Sequence, residues 1–464
     1  IINVKTKSPK DLKGTYIKTA YSDLEDLYGG IIHGGEINAL SYKVSASWDR
    51  GENLENVWGG KERELNRVDV RGDYDLDFDK KIFVQSGQID GQYQVRCLNG
   101  GSFKEIIPGE RYYRIGYEQG ELQLTAYRNR SRPHELSISG GSVKSVESDL
   151  YNLDLNHSFA WGENLSFVWG GNISKEKAVN PDIIYDKLTA RLWSAYLQNQ
   201  IRLTEKVIMS LGSRIDDDSV RGNNFTPRIG FVYEPIENHA YRISYSTAYR
   251  KPSFLELFRY LKNKSGTNLG NEDLDNEELK SIELGYYGIF SKNLKGSVAL
   301  FFNEIEHLIE EYTVSSKVFN YRNIEQKVES LGGEIEANYA IQNGISCFAN
   351  YAYEYLRYKD SGERIKSSPL NKINLGIITE LTKEFSVNMF VSYVDSVEWA
   401  QSGVYTVDSK TPSYTLLNSR IAYKFTENGK ATMEIFNILN DKHKEYPYGE
   451  EIGQRITVGV NYNF

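Results

Sequence analysis

Runs of strictly alternating apolar and polar residues recur along the whole chain of 464 residues, and they constrain its fold more than any other feature. In the segment ITVGVNYNF (456–464), every second residue is apolar and each residue between is small or polar. Because successive side chains of a β-strand point to opposite faces, this pattern predicts a strand with one apolar and one polar face. The same alternation is found in LSYKVSASW (40–48), VDVRGDYDLDF (68–78), YRISYSTAY (241–249), SIELGYYG (281–288) and YTLLNSRIAYKF (414–425). We therefore expect an all-β protein.

The length of these runs distinguishes between two all-β architectures. Strands of soluble sandwiches are most often about 5–6 residues long, whereas many runs here reach about ten residues, the length of a tilted strand that crosses a bilayer. Aromatic residues such as Trp48, Tyr249 and Tyr462 stand near the ends of the runs, as in the aromatic girdles of outer-membrane barrels. The sequence thus predicts a transmembrane antiparallel β-barrel. Its apolar face would meet lipid and its polar face a wet lumen.

The connections between the runs alternate between two kinds. Ten short ones, such as 79–80, separate eleven outer ones, the longest of which is 250–276. Together they join about 22 strands, an even number, with short periplasmic turns on one side and long extracellular loops on the other. An open sheet edge would leave backbone groups unsatisfied in lipid. We therefore expect the last strand to pair with the first, near 15–22.

Composition and motifs argue against several functional classes. The net charge of -8, without a basic cluster interleaved with aromatic residues, disfavours a nucleic-acid partner. The two cysteines, Cys97 and Cys347, are too few for a disulfide framework. The sequence contains no P-loop, no GxSxG elbow and no HExxH pair. It therefore predicts no enzymatic activity, no cofactor and no metal site.

Several segments, spread along the chain, resemble TonB-dependent outer-membrane receptors. IINVKTKSPKDLKG (1–14) resembles the last plug strand of that family and the linker to its barrel. The mid-barrel signature of the family resembles NFTPRIGFVYEP (224–235) and YRISYSTAYRKPSFLELF (241–258), and its later motifs resemble GNEDLDNEELKSIELGYYG (270–288), MEIFNILNDKHKEYPYG (433–449) and RITVGVNYNF (455–464). In this family a C-terminal aromatic residue is part of the signal for outer-membrane insertion, and the resemblance gives this role to Phe464.

The resemblance also implies a domain organisation. The family carries a plug domain of roughly 130 residues and an energy-coupling box ahead of the barrel, about one ordinary domain. Residues 1–13 are expected to be the tail of the plug domain and the linker, and residues 14–464 the transmembrane β-barrel; the rest of the plug and the TonB box would be absent from this chain. Departures from the family pattern at 270–272 and 275–277 bear on the seventh outer loop and not on the fold.

The function that the resemblance implies is TonB-dependent active import of a scarce nutrient across the outer membrane. An iron–siderophore is the first expectation, followed by cobalamin or another metal chelate. The implied partners are the periplasmic TonB protein, reached through the missing N-terminal region, and the lipid and lipopolysaccharide of the outer membrane, and a monomer is expected. Two other classes stay open: a passive outer-membrane porin or channel, and an outer-membrane enzyme barrel, for which we find no catalytic constellation.

Aromatic residues of the predicted outer loops are the candidates for ligand binding. Rigid aromatic side chains provide contact area at a low cost in conformational entropy, and the segments 253–262 and 446–449 concentrate them. The candidate ligand-binding residues are Arg250, Phe254, Phe258, Tyr260, Tyr446 and Tyr448. The alternative for each aromatic residue is anchoring at the membrane interface, and this alternative is favoured for Tyr112.

Other polar residues allow more than one interpretation. The acidic tip Asp216–Asp218 of the sixth outer loop and the acidic residues of 272–278 in the seventh are suited to calcium, but the lack of EF-hand spacing favours a solvated acidic rim. The polar face of the fourth strand, 69–77, is either a wall paired with neighbouring or plug charges or part of a permeation path. His134 and His443 lie in predicted outer loops, where a surface position is favoured over metal ligation.

Overall fold

The computed structural model describes residues 6–51, 63–92, 109–132, 136–138, 141–143, 146–180, 187–263, 266–342, 344–399, 410–446 and 451–464. A 3-10 helix spans Pro9–Asp11 and the α-helix α1 spans Phe254–Phe258. The strands are β1 Gly14–Ser22, β2 Leu27–Ile37, β3 Leu40–Gly51, β4 Arg63–Asp77, β5 Lys80–Gln92, β6 Glu110–Gln119, β7 Leu122–Ser131, β8 Leu136–Ile138, β9 Gly141–Val143, β10 Glu147–Trp161, β11 Leu165–Val179, β12 Leu188–Thr204, β13 Val207–Asp218, β14 Gly222–Ile236, β15 His239–Arg250, β16 Tyr260–Asn263, β17 Gly266–Leu269, β18 Glu277–Ser291, β19 Leu294–Glu306, β20 Ile309–Ser315, β21 Val318–Asn323, β22 Val328–Gln342, β23 Ile345–Tyr358, β24 Arg364–Ile365, β25 Asn371–Glu380, β26 Phe385–Val394, β27 Val397–Glu398, β28 Lys410–Thr411, β29 Tyr414–Lys424, β30 Gly429–Phe436 and β31 Arg455–Asn463. No helix in these ranges is long and apolar enough to span a membrane.

Twenty-two of these strands form one closed antiparallel barrel, in which each strand pairs with the next barrel strand along the chain. The two-residue strand β24 adds to the end of β23, and the remaining strands lie in three small separate sheets. The barrel closes between β1 and β31, with a register that runs from Tyr16 opposite Asn463 to Ser22 opposite Thr457. The predicted strand number and the predicted closure are confirmed. Closure leaves the barrel without an unpaired edge strand, as a lipid environment requires.

The turns at the end of the barrel that carries both chain termini are short. They are 38–39, 78–79, 120–121, 162–164, 205–206, 237–238, 292–293, 343–344, 381–384 and 425–428. Several of them need a left-handed backbone conformation: φ is 54° at Asn38, 67° at Asn238 and 53° at Gly120. Asparagine and glycine adopt this conformation most easily. The local sequence therefore places the turns where the alternation stops, as expected.

The apolar and polar faces of the strands are distributed as the alternation predicts. On β4, Val68 and Val70 are 50% and 46% exposed, whereas Asp73 is fully buried. Apolar residues are likewise exposed on β31, where Val458 and Val460 face outward. In a sandwich these valines would be the sealed core. Exposed apolar side chains outside and buried polar side chains inside are the arrangement of a barrel surrounded by hydrocarbon.

At the outer end of the barrel, one connection is longer than the sequence predicts. The alternation predicts a brief connection at 315–317, whereas the connection covers 307–327 and its strands β20 and β21 form a four-stranded sheet with β16 and β17. This sheet lies beyond the barrel strands. The segments alternate as the barrel strands do, so the pattern alone did not separate them. Leu274 and Phe319 are buried there, which gives the outer sheet an apolar core of its own.

Candidate functional site

The inner wall of the barrel is lined by charges that bind one another. Arg71 donates to Asp73 with an Nε–Oδ1 distance of 2.6 Å, and the Lys81 ammonium lies 3.6 Å from the same carboxylate. Gln85 donates to Asp69 over 3.0 Å. Asp73 is fully buried, so loss of these partners would leave an uncompensated buried charge. Asp73 thus pairs with Arg71 of its own strand and with Lys81 of the neighbouring strand, and the permeation path stays a prediction.

Tyr112 belongs to this inner wall and not to an outer loop or to the membrane interface. It lies on β6, its hydroxyl donates to Asp69, and Gln85 donates to that hydroxyl over 2.9 Å. Its neighbour Tyr113 takes the outward position and is exposed. The favoured interpretation of Tyr112 as an interface anchor was wrong, because the register of β6 assigns adjacent tyrosines to opposite faces.

The segment ahead of the first strand is attached to the barrel at the short-turn end. The Lys10 ammonium is 2.6 Å from Asp75 of the inner wall, and the Lys13 ammonium is 2.7 Å from Glu36 on β2. Leu12 is buried. The first barrel strand begins at Gly14. That residues 1–13 are a plug tail and linker stays a prediction.

At the outer mouth, Arg250 joins three elements. Its Nη2 donates to Glu277 of β18 over 2.7 Å, and its Nη1 donates to Glu256 of α1 over 3.0 Å. Ser253 and Glu256 form a capping box that begins α1. Burial alone would raise the pKa of Glu256, but hydrogen bonds from Arg250 and Ser253 outweigh it and hold the pKa below its usual value. Arg250 therefore holds α1 in place above the barrel strands.

The structure brings together some of the candidate aromatic residues. Phe254 and Phe258 lie on the same short helix with ring centroids 6.4 Å apart, and Tyr260 follows at the start of β16. Leu257 between them is buried and anchors the helix. Tyr446 lies on a different connection, between β30 and β31, and is half exposed. Tyr448 lies outside the described residues. The ligand-binding role of all six candidates stays a prediction.

A polar cluster inside the outer sheet was not identified from the sequence. Arg259 donates to the Tyr321 hydroxyl over 3.2 Å, and Glu311 is paired in register with Tyr321. Burial raises the pKa of both Glu311 and Tyr321. Arg259 and Tyr321 are 62 residues apart in the chain, on two different connections. Such contacts depend on the fold of the outer sheet, and no local sequence pattern signals them.

The acidic residues predicted to form a solvated rim fall into two groups. Asp216 and Asp218 end strand β13 and are buried; Arg214 binds Asp216 over 2.7 Å and Lys251 binds Asp218 over 3.0 Å. For them the prediction was wrong, because the strand continues further than the polar sequence suggested. The acidic residues at 272, 273 and 275 of the seventh connection and Glu278 at the start of β18 are exposed, as predicted. Glu277 is bound by Arg250.

One of the two histidines of the predicted outer loops, His443, lies in the described part of the chain. His443 is buried, with its ring stacked on Tyr414 at a centroid distance of 4.2 Å. The expected surface position was wrong for His443, because its connection folds back against β29. His134 lies outside the described residues. Across the described ranges, no group of three or more histidine, cysteine, aspartate or glutamate residues is placed to hold a metal ion.

Comparison with known proteins agrees with this architecture. The β-barrel model of the TonB-dependent receptor-like family matches residues 11–438. The iron-regulated outer membrane virulence protein of Vibrio cholerae is 22% identical over 367 residues, which cover 75% of this chain and 55% of that protein. The vitamin B12 transporter BtuB of V. cholerae is 23% identical over 486 residues, covering 100% of this chain and 76% of the relative. The solved siderophore receptor PirA from Pseudomonas aeruginosa superposes with a TM-score of 0.74 at 16% identity, covering 99% of this chain and 81% of that one.

These matches define the class of the protein. The chain belongs to the TonB-dependent receptor-like β-barrel family, because the family match extends over most of the barrel. It is an outer-membrane barrel of that type. The chain spans little more than half the length of the first relative.

Proposed function

We propose that this barrel belongs to an active importer that carries a metal chelate across the outer membrane with energy from TonB. The observation that supports the proposal most is the family match over residues 11–438, which coincides with a closed barrel. The two V. cholerae relatives are named for iron regulation and for vitamin B12 transport, and PirA is a siderophore receptor. An iron–siderophore is the first candidate ligand, and cobalamin or another chelate the second.

In this proposal the barrel is a frame and not a catalyst. The ligand would bind the outer connections and a plug that fills the lumen, and TonB would then act on the plug from the periplasm. The charged inner wall offers a polar surface for such a plug, and the bond from Lys10 to Asp75 shows where the chain approaches this wall. The family consists of receptors and transporters, which supports a role without chemistry. Closure of the sheet is compatible with action as a monomer, since no edge strand is left to pair with another copy.

The family match favours this proposal over the passive channel and the enzyme barrel. An experiment separates the importer from the channel. Cells that express the complete gene in a strain without its own iron and cobalamin receptors would be given radiolabelled ferric siderophores and cobalamin. We expect uptake of at least one of them, and we expect a protonophore to abolish that uptake. Uptake that persists without the proton gradient would contradict TonB-dependent import.

The ligand contacts proposed on α1 need a separate test. Phe254 and Phe258 lie on α1 with ring centroids 6.4 Å apart, and Arg250 fixes the helix that carries them. The double variant F254A/F258A should bind the imported ligand about tenfold less tightly, a loss of the size expected for two aromatic contacts. Phe225→Ala is the control, because Phe225 is exposed on the outward face of β14. Equal affinity of the double variant and the control would remove these residues from the site.

A further inference from the structure

The outward face of β6 to β12 carries a band of cations close to the outer end of the barrel. The cross-strand register places Tyr113, Arg128, Tyr151, Lys175 and Arg191 in one row. The next row towards the outer loops contains Arg111, Arg130, Asp149 and Lys177. We call the six cations of these two rows the basic rim: Arg111, Arg128, Arg130, Lys175, Lys177 and Arg191.

The row beneath the basic rim is apolar and concave. Here Ile115, Ala126, Leu153, Ile173 and Trp193 follow one another across the strands. Ile115 and Ile173 are exposed, which shows that these rows look outward, towards lipid. A groove of about 500 Å³ runs over this row and reaches up to basic-rim residues. An apolar groove directly below cations suits an amphiphilic ligand.

The cations of the basic rim are mostly without anionic partners. Among the residues that the structure describes, Arg128 is the one member with an ion pair, to Asp149 at 2.8 Å. The Nε atom of Arg130 is buried without a hydrogen-bond partner. Arg128 and Lys177 lie over the ring of Tyr151, at 5.0 Å and 5.8 Å from its centroid. Arg128 and Lys177 are therefore oriented by an aromatic ring, and among the described residues the five cations other than Arg128 keep their capacity to bind an external anion.

The opposite situation is found on the outward face of β18 to β23, again one row above an apolar row. We call this second band the paired rim; its members are Lys280, Glu304, Glu306, Lys327, Glu329, Arg357 and Lys359. Lys280 binds Glu306 over 2.7 Å, and Lys327 binds Glu306 over 2.7 Å and Glu304 over 3.3 Å. Glu304 and Lys280 stand opposite each other in the register, one row above Ile282 and Phe302. Outward cations at the membrane border are thus neutralised in one sector of this barrel and left open in another.

We propose that the basic rim binds the phosphate groups of a phosphorylated glycolipid of the outer leaflet, lipopolysaccharide, with an acyl chain in the groove below. Clustered lysine and arginine residues at a membrane surface attract anionic head groups, and each contributes about 1 kcal/mol. Arginine adds bidentate hydrogen bonds to phosphate. The inference rests on the position of the barrel in the outer membrane and is independent of the ligand that the receptor imports.

The test measures binding of lipid A to the purified receptor, produced from its complete gene in detergent. Bis-phosphorylated lipid A, dephosphorylated lipid A and phosphatidylglycerol are titrated in parallel. We expect the first to bind and the dephosphorylated form to bind at least tenfold more weakly. Phosphatidylglycerol should also bind more weakly, because a single phosphate cannot engage both rows. Equal binding of all three would overturn the proposal, and this comparison needs no variant.

A variant locates the binding surface. R130Q/K175Q/K177Q should weaken lipid A binding by about 100-fold, as expected for three contributions of about 1 kcal/mol. K280Q/K359Q is the matched control, since it removes outward cations from the paired rim. Heat-modifiable electrophoretic mobility verifies that each barrel is folded. Unchanged binding in the folded triple variant, or an equal loss in the control, would show that lipid A binds elsewhere.

Discussion

The two outward rims of this barrel each lie one row above an apolar row of the sheet, yet their charges are paired differently. In the paired rim, Glu304 and Glu306 of β19 bind Lys280 of β18 and two lysines next to the ends of β22 and β23, Lys327 and Lys359. In the basic rim, the described part of the chain provides Asp149 as a partner for Arg128 and leaves most of the cations free. Position alone therefore does not decide the charge pattern. Carboxylates of the paired rim neutralise the cations of that rim, whereas we propose that an external anion neutralises most cations of the basic rim.

The largest expected effect extends the comparison to the inner wall, where charges are more deeply buried than in either rim. Asp73→Ala would leave Arg71 and Lys81 without their shared carboxylate. We expect the free energy of unfolding to fall by about 3 kcal/mol, the lower end for a broken buried pair. Urea unfolding of the barrel in lipid vesicles measures this. Val70→Ala on the lipid face of the same strand is the control, and an equal loss in both variants would contradict a burial-dependent effect.

The next effect contrasts the stability of the two rims. Glu329 of the paired rim is buried and accepts two hydrogen bonds from Arg357, at 2.7 Å and 2.9 Å. Glu329→Ala should lower the free energy of unfolding by about 1–2 kcal/mol. Lys175→Ala in the basic rim has neither an ion pair nor a ring contact to lose among the described residues, and it should change this free energy by less than about 0.5 kcal/mol. If both variants lost the same stability in the same unfolding assay, the distinction between the rims would be wrong.

A gain of binding would sharpen the comparison further. E304Q/E306Q should free Lys280 and Lys327 and leave Lys359 with its longer contact of 3.7 Å to Glu329, which converts the paired rim into a second, partly open basic rim. We expect such a barrel to bind a further molecule of bis-phosphorylated lipid A, about tenfold more weakly than the original site because fewer cations contribute. Native mass spectrometry counts the bound lipids. If the variant is folded and binds no more lipid A than the parent, unpaired cations alone are insufficient for lipid A binding.

The smallest effect concerns ion pairing above the membrane, at α1. The pKa of Glu256 is lowered on folding, so its carboxylate stabilises the docked helix above the unfolded value of 4.5, and this contribution is lost as the pH falls through the folded value. Hydrogen exchange of 254–259, corrected for intrinsic rates, should therefore show less protection as the pH falls below 4.5 and through the folded value. Glu256→Gln should be less protected at neutral pH and nearly independent of pH. Protection that is constant in the parent would contradict this assignment.

The sequence was sufficient for the architecture because the period of two is a local property of each strand. The runs at 40–48 and 68–78 show their own apolar and polar faces, and turn residues such as Asn38 mark where they end. Strand number, closure and the orientation of the faces follow from such local signals. Resemblance to the family then supplied the expected function.

Features that depend on partners across the barrel could not be obtained in this way. The sequence predicts a solvated position for Asp216 as it does for Asp273. In the structure, however, Arg214 binds Asp216 and the carboxylate is buried at the end of β13. Arg130 and Lys177 belong to different hairpins and become neighbours through the register with Asp149. The outer sheet likewise joins residues from two connections. These contacts are set by strand register and by loop folding, which alternation does not encode.

The central claim is that lipid surrounds the apolar face of this barrel and that the polar face lines its interior. Spin labels placed singly at Val70, Val460, Asp69 and Asn461, in a receptor whose two cysteines are replaced, test it directly in lipid vesicles. The account predicts that oxygen, which concentrates in lipid, relaxes the labels at Val70 and Val460, and that a water-soluble nickel complex does not. Labels at Asp69 and Asn461 should be shielded from lipid. Labels at Val70 and Val460 that are reached by neither reagent would place these residues in a sealed core and contradict the account.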